Sequence, residues 1–266
     1  MCDCVKILGA RGSIPVTGGQ FSRFGGATTC VLVRLDGQYI LLDAGTGLLN
    51  LPEDALAQPH LPLLLSHPHA DHLIGLGMCP YLFRPGGALT FYAKTRDGLD
   101  ARGQVHRLYA PPLWPTTPEN LPAEVRYAEL PEDFFLGPVH VETMEGAHPG
   151  GVTLFRMTGK THRVAFLTDC TLTDSLCARL LPFVRGCDLL LVEGQYSDEE
   201  WAARSTFGHS SWRSAARFAA EAGAKQVRVI HHDPCHTDED LLAASGELRE
   251  LHPCCSFGYE GEEVFL

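Results

Sequence analysis

The sequence predicts an α/β protein forming one continuous domain over residues 1–266, and three observations point there. Short apolar, β-branched runs alternate with segments of helical periodicity along the whole chain. No unit of about 20 to 50 residues repeats, which removes solenoids and propellers. The composition, 45% hydrophobic and 20% charged, is that of a chain able to bury a core beneath a polar surface.

The first quarter is rich in strands. Runs at Val5–Leu8, Cys30–Leu35, Tyr39–Leu42 and Leu61–Leu65 each hold four to six residues, and Asp36-Gly37 between the second and third marks a hairpin turn. Further strands are expected at Leu89–Tyr92, Val139–Glu142, Val152–Met157, Val164–Leu167, Leu189–Val192 and Val227–Ile230. Helical periodicity appears at about 174–185, 211–222 and 237–251. Between Ala110 and Pro122 five prolines fix φ and remove backbone donors, so that segment is an irregular surface loop.

Charge and cysteine content narrow the partners. Twenty-one Lys and Arg against 32 Asp and Glu leave a net charge of −11, a field that repels polyanions and argues against long nucleic acids. No apolar run approaches the roughly 18 to 20 residues a membrane span needs, and no leader pattern opens the sequence, so a cytoplasmic protein without membrane contact is expected. Ten cysteines are too few for a disulfide scaffold and are expected to be reduced and mostly buried. Neither Cys2-Asp-Cys4 nor Cys254-Cys255 has the two-residue gap of a zinc pair.

The chemistry concentrates in Leu63-Leu64-Leu65-Ser66-His67-Pro68-His69-Ala70-Asp71-His72, where an apolar strand runs into four metal-binding side chains. On an extended segment side chains two apart point the same way, so His67 and His69 can grip one cation while the following turn aims Asp71 and His72 at a second. Six residues cannot complete two coordination spheres. The missing groups stand at other strand ends: His148 after the Val139–Glu142 strand, Asp169 after Val164–Leu167, and His231-His232 after Val227–Ile230. Any one of these alone would be read as a cap or turn residue.

Together these motifs, with Asp43 in Leu41-Leu42-Asp43-Ala44-Gly45-Thr46-Gly47, resemble those of the metallo-β-lactamase-fold hydrolases almost end to end. The resemblance implies a four-layer αββα sandwich with two divalent cations in a cleft at one edge, zinc first, with manganese or iron as alternatives. By similarity His67, His69 and His148 would bind one ion, Asp71, His72 and the last histidine the other, and Asp169 both, while Asp43 would orient a ligand by hydrogen bonding. His231 is preferred over His232 as that last ligand, because it directly follows its strand and precedes Pro234 by three residues, as in the family; His232 is left as a substrate contact or neighbour.

Within the superfamily, Gly9-Ala10-Arg11-Gly12-Ser13-Ile14-Pro15, Glu193-Gly194-Gln195-Tyr196 and Gly208-His209-Ser210-Ser211 are similar to the phosphodiesterase and tRNA 3′-processing branch. That likeness implies a catalytic set of Asp71, Glu193 and His209, in which Glu193 holds His209 cationic and His209 protonates the leaving group. Arg11, in a glycine-flanked loop, is a candidate phosphate contact. Only twenty residues separate His148 from Asp169, which leaves no room for the arm of the tRNA-processing enzymes. A small phosphodiester, such as a cyclic nucleotide or cyclic phosphate, is therefore the expected substrate, with a homodimer left open. The alternatives are a thioester or lactone hydrolase on the same fold and a catalytically silent metal-binding module.

Overall fold

A computed structural model describes residues 2–266. Two seven-stranded sheets carry the architecture. The first half of the chain supplies β1 (Cys4–Gly9), β2 (Cys30–Leu35), β3 (Gln38–Leu42), β4 (His60–Leu64), β5 (Ala88–Ala93) and β6 (Glu124–Glu129). The second supplies β7 (Asp133–Leu136), β8 (Val139–Glu145), β9 (Thr153–Thr158), β10 (Arg163–Leu167), β11 (Leu189–Glu193), β12 (Gln226–Ile230), β13 (Cys255–Phe257) and β14 (Glu263–Phe265). The sheet orders are β14-β1-β2-β3-β4-β5-β6 and β13-β12-β11-β10-β9-β8-β7, so the last strand returns to pair with the first. In each sheet an antiparallel meander gives way to parallel strands, from β3 onward in one and from β10 onward in the other.

Helices α1 (Glu53–Leu56), α2 (Ala101–Leu108), α3 (Asp174–Val184), α4 (Asp198–Arg204), α5 (Trp212–Ala222) and α6 (Asp238–Leu251) fill the connections. Period-two alternation sorts each strand into two cores. Val5, Ile7, Val33, Ile40 and Leu42 meet Val141, Phe155, Met157, Phe166 and Leu191 between the sheets. The residues between them face outward: Leu8, Leu32 and Leu41 onto Tyr81, Val105 and Tyr109, and Leu154, Ala165, Leu190 and Val192 onto Leu180, Ala216, Ala219 and Leu248. Three cores separate four layers, and the architecture is the expected αββα sandwich. Each fully buried aliphatic side chain contributes on the order of 1.5–3 kcal/mol, so these stripes dominate the stability.

Local chemistry fixes the element ends. Thr173, Ser211 and Thr237 cap α3, α5 and α6 with side-chain oxygens, and Ser197 forms a reciprocal capping box with Glu200 at α4. Asp36 and Gly37 both take positive φ, 48° and 80°, the backbone that a two-residue hairpin with native twist requires, and they join β2 to β3 as expected. The three expected helices form. So do the expected strands, while Ala110–Pro122 stays irregular apart from a short 3-10 turn at Pro118–Asn120. All ten cysteines are free, and Cys4, Cys30, Cys79, Cys170, Cys187 and Cys255 are buried. Among the described residues no helix is long and apolar enough to cross a membrane.

Candidate metal centre

Five strand ends deliver the candidate residues to one edge of the sandwich. Asp43 follows β3, the His67–His72 loop follows β4, His148 lies between β8 and β9, Asp169 follows β10, and His231 follows β12. Asp43, Asp169 and His231 all have positive φ, 60°, 48° and 63°. A left-handed residue directly beyond a strand breaks the alternation and turns its side chain over the sheet edge. Such backbone strain persists only where the surroundings hold it, and here it falls on three members of one cluster.

The donor atoms converge in two groups. His67, His69 and His148 form one, and Asp71, His72, Asp169 and His231 the other, the atoms of each lying within 4.8 Å of one another. His148 Nε2 is 3.1 Å from His69 Nδ1. Asp169 lies between the groups: Oδ2 is 3.6 Å from His67 Nε2 and 3.4 Å from His72 Nε2, while Oδ1 is 3.2 Å from His231 Nε2. A tetrahedral ion with bonds of about 2.0–2.1 Å places neighbouring donors ~3.4 Å apart, so these spacings suit ligands around a common cation.

Outer hydrogen bonds fix which ring nitrogen faces inward. Asp43 is wholly buried and accepts from His72 Nδ1 at 2.8 Å, from Ser66 N at 2.7 Å and from Ser66 Oγ at 2.9 Å. Because the Ser66 hydroxyl donates to Asp43, its lone pair is left to accept from His67 Nδ1 at 3.0 Å. His148 Nδ1 donates to the Gly208 carbonyl at 2.9 Å. Each ring thereby turns a bare Nε2 towards the centre.

Electrostatics describe a site that calls for positive charge. Burial, with His72 beside it, pushes His67 well below the usual imidazole range, and burial also lowers His69 and His148. Burial opposes a charge on His72 too, but Asp71, Asp169 and Asp43 outweigh it and hold the ring well above that range. The carboxyls of Asp71 and Asp169 are held low despite burial, by His72 and His231. His67 Nε2 and His72 Nε2 are buried without a hydrogen-bond partner. Buried polar atoms are almost always paired, so two inward imidazole lone pairs beside two carboxylates fit a divalent ion.

Four other expected residues behave differently. His209 does reach the cluster, stacked on His231 with ring centroids 5.1 Å apart and edge-on to His148 at 5.1 Å. Its Nδ1 is 3.9 Å from Glu193 Oε2, beyond hydrogen-bond reach. The two share no hydrogen bond, although they lie within ion-pair distance: Glu193 accepts from Ser210 N at 2.6 Å and Gln195 N at 3.1 Å and anchors those loops. Burial lowers His209 to about 3 and raises the Glu193 carboxyl, the latter with Asp169 adding to it. Arg11 is not a phosphate contact. It is fully buried, and its guanidinium donates to the carbonyls of Gly25, Asp233 and His236, clasping two loops. His232 is likewise withdrawn from the cleft, with Nε2 bonded to the Gly258 carbonyl at 2.7 Å and its ring against Phe24 and Phe257.

Sequence reasoning missed Ser13, Gln195 and the role of Gly12. Ser13 N donates to Asp71 Oδ2 at 2.8 Å, and Gln195 Nε2 reaches Ser13 Oγ at 3.1 Å. Their only signal was membership of motifs read for Arg11 and Glu193.

Residues 38–232 match the model of the beta-lactamase superfamily domain. Ribonuclease Z of Streptomyces avermitilis is 25% identical over 272 aligned positions, covering 87% of this chain and 86% of that protein. Ribonuclease Z of Porphyromonas gingivalis is 37% identical over 77 residues, a match that spans 29% of this chain and 24% of the relative. Among solved structures, the metallo-beta-lactamase fold protein YhfI from Bacillus subtilis superposes with a TM-score of 0.74 at 21% identity over 98% of both chains. A diphosphatase of the PhnP family superposes at 0.73 and 17%, over 99% of this chain and 98% of that one. A sandwich of this topology with a histidine and aspartate cluster at its edge, in a chain so matched, belongs to the beta-lactamase superfamily as a metal-dependent hydrolase.

Proposed function

We propose that the cluster holds two divalent cations, zinc foremost, and that the protein hydrolyses a small phosphodiester. The observation that carries this reading is the position of Asp169, whose carboxylate touches both donor groups at 3.2–3.6 Å. Two bound cations supply charge to stabilise the phosphoryl oxygens and to acidify a water. His67, His69 and His148 would hold one, and Asp71, His72 and His231 the other, with Asp169 placed between the two groups. Asp43 and Ser66 lock the His72 and His67 rings, and Ser13 N steadies Asp71. His209 stands over His231 and His148, and the negative charge of a phosphodiester bound beside it would raise the buried ring towards the range in which it carries a proton to pass to the departing oxygen. The whole chain acts as one domain.

The small-substrate reading draws on the short β9–β10 hairpin that fills the space between His148 and Asp169, and on the net charge of −11. Relatives called ribonuclease Z favour RNA as the rival substrate. Zinc-loaded protein assayed with bis(p-nitrophenyl) phosphate, cyclic nucleotides, a precursor tRNA, a thioester and a lactone, with metal content measured on the same sample, separates them. Turnover of the small phosphodiesters with about two ions per chain is expected, and His209→Ala should keep the ions while slowing turnover by about 10²–10⁴. Fully loaded protein that cleaves only the tRNA, the thioester or the lactone would refute the proposal.

A further inference from the structure

The loop that follows β1 runs along the cluster and turns sharply at Ser13. Gly12 N donates to the His232 carbonyl at 2.9 Å, and Ile14 N donates to the Gly12 carbonyl at 2.7 Å. Ser13 between them takes φ 63°, a left-handed backbone uncommon for residues other than glycine. The turn aims Ser13 N at Asp71 Oδ2, 2.8 Å away, in the donor group formed by Asp71, His72, Asp169 and His231. Standard bond lengths then place the Ser13 hydroxyl no more than about 6.5 Å from that carboxylate oxygen. Asp71 and His231 are buried, whereas Ser13 is exposed, so it belongs to the rim that a ligand meets on its way to the cluster.

The neighbours of the Ser13 hydroxyl decide where its proton points. Gln195 is 2% exposed, and its Nε2 lies 3.1 Å from Ser13 Oγ and 3.4 Å from Asp233 Oδ2. A carboxylate only accepts, so Asp233 requires the amide nitrogen of Gln195, rather than its oxygen, on this side. The amide therefore donates to Ser13 Oγ, and the single hydroxyl proton has to point elsewhere. Among the described residues no acceptor takes it. The arrangement is held from behind: Cys235 N donates to Asp233 Oδ1 at 2.8 Å, and Gln195 N donates to Glu193 Oε2 at 3.1 Å.

We propose that Ser13 is a substrate contact that selects for phosphodiesters by donating its hydroxyl proton to a non-bridging phosphoryl oxygen, and that Gln195 is the positioning residue that aims it. The inference rests on the phosphodiester reading above. A phosphodiester has two non-bridging oxygens, so one can face the cluster while the other is left for a neutral donor at the rim. A thioester or lactone has one carbonyl oxygen and leaves the hydroxyl unmatched. Ser13 is no nucleophile here, because the group at its oxygen is an amide donor, which cannot take the proton. It also stands between two parts of the site. Asp71 lies on one side, and on the other is the Glu193–Gln195 turn, where Glu193 accepts from Ser210 N beside His209. A phosphoryl group reaching from Asp71 to His209 passes Ser13.

Calorimetric titration of the zinc-loaded protein with inorganic phosphate tests this, alongside hydrolysis of bis(p-nitrophenyl) phosphate. Ser13→Gly removes the hydroxyl, keeps the N–H to Asp71 and adopts φ 63° without strain, while Ser13→Ala removes the same hydroxyl on a strained backbone. Both should weaken phosphate, and lower kcat/KM for the diester, by about 10–100-fold at unchanged zinc per chain, as for the loss of a hydrogen bond to a charged group. Gln195→Met should weaken phosphate about threefold in the wild-type protein and leave it unchanged in Ser13→Gly, because the amide acts only through the hydroxyl. Phosphate affinity that survives Ser13→Gly overturns the proposal, and so does a loss confined to Ser13→Ala, which would belong to the backbone. Reduced zinc in Ser13→Gly overturns it too, since the effect would then run through Asp71. Equal losses from Gln195→Met in both backgrounds overturn the part given to Gln195. Wild-type protein that holds two ions yet neither binds phosphate nor cleaves the diester refutes the phosphodiester reading and this inference together. Wild-type protein that does both, beside an unaltered Ser13→Gly, refutes this inference alone.

Discussion

Gly12 shows how little freedom the centre leaves to a single residue. A Cβ at this position would lie 2.4 Å from both Cε1 and Nδ1 of His231, so any side chain there must displace the ring. The ring is also flanked by His72, stacked at 5.3 Å, and by His209, stacked at 5.1 Å. Gly12→Ala should therefore lower the bound metal per chain, by analogy with the 10–100-fold affinity losses that follow from disturbing groups around metal ligands, while the far-ultraviolet circular dichroism stays native. Metal content equal to wild type after dialysis against a weak chelator would show that His231 tolerates the shift. Residues of this kind were hard to read from sequence. His67 to His72 lie in one short loop, and their donor types announce them; Gln195 and Ser13 meet only because the topology folds positions 182 apart together. Arg11 misled for the opposite reason. Its glycine neighbours suggested an open loop, but they permit close packing, and Arg11 bridges to Thr28 and His232 in the interior.

Among the elements, the parallel strands β10, β11 and β12 carry Asp169, Glu193 and His231 at their C-terminal ends, so their register sets the geometry of the site. Asp188 pins that register at the other end. Its carboxylate accepts from Arg163 N at 2.7 Å and from Lys225 Nζ at 2.7 Å, tying the starts of β10 and β12 to β11. Burial opposes the charge, but Lys225 and the Arg163 amide win and hold the carboxyl below its ordinary value. A depressed folded value means stability that is present above the unfolded pKa, near about 3.9, and lost as pH falls through the lower folded value. Asp188→Asn should thus cost about 1 kcal/mol in urea unfolding at pH 7, with the gap to wild type closing below about pH 3. A gap of the same size at both pH values would mean that the charge contributes nothing. Strands such as β11, apolar from Leu189 to Val192, were legible because burial on both faces favours a continuous apolar run. The edge strands β6 and β7 and helices α2 and α4 were not: β6 mixes charges into its exposed face, and α4 buries no side chain, so neither carries a periodic signal.

For the whole molecule, the cluster draws its members from both sheets. His67, His69, Asp71 and His72 come from the loop after β4 in the first, and Asp169 and His231 follow β10 and β12 of the second. Cations bound there would cross-link the two halves of the sandwich and would also offset the buried carboxylates of Asp71 and Asp169. An ion present at a hundredfold its dissociation constant stabilises the folded state by about 2.7 kcal/mol. Stripping the protein with a chelator should then lower the unfolding temperature by on the order of 5–10 °C, given about 2–4 °C per kcal/mol at this chain length, and zinc should restore it. Calorimetry showing the same midpoint with and without chelator would argue that the halves are joined without ions. The layered architecture was implied from sequence by motifs spaced along nearly the whole chain, whereas the pairing of β14 with β1 has only three residues of pattern behind it.

That pairing has a consequence for how the protein is made. Val264 sits opposite Val5, so the flank of β1 finds its neighbour only after the ribosome has translated the codons for residues 263–265. Throughout elongation the nascent N-terminal sheet carries a bare row of amide and carbonyl groups along β1, the kind of template that invites pairing between chains on the same messenger. Lys6 and Glu263, matched across the finished seam, put charge along that row, and the lysine is in place to discourage such encounters from the first moments of synthesis.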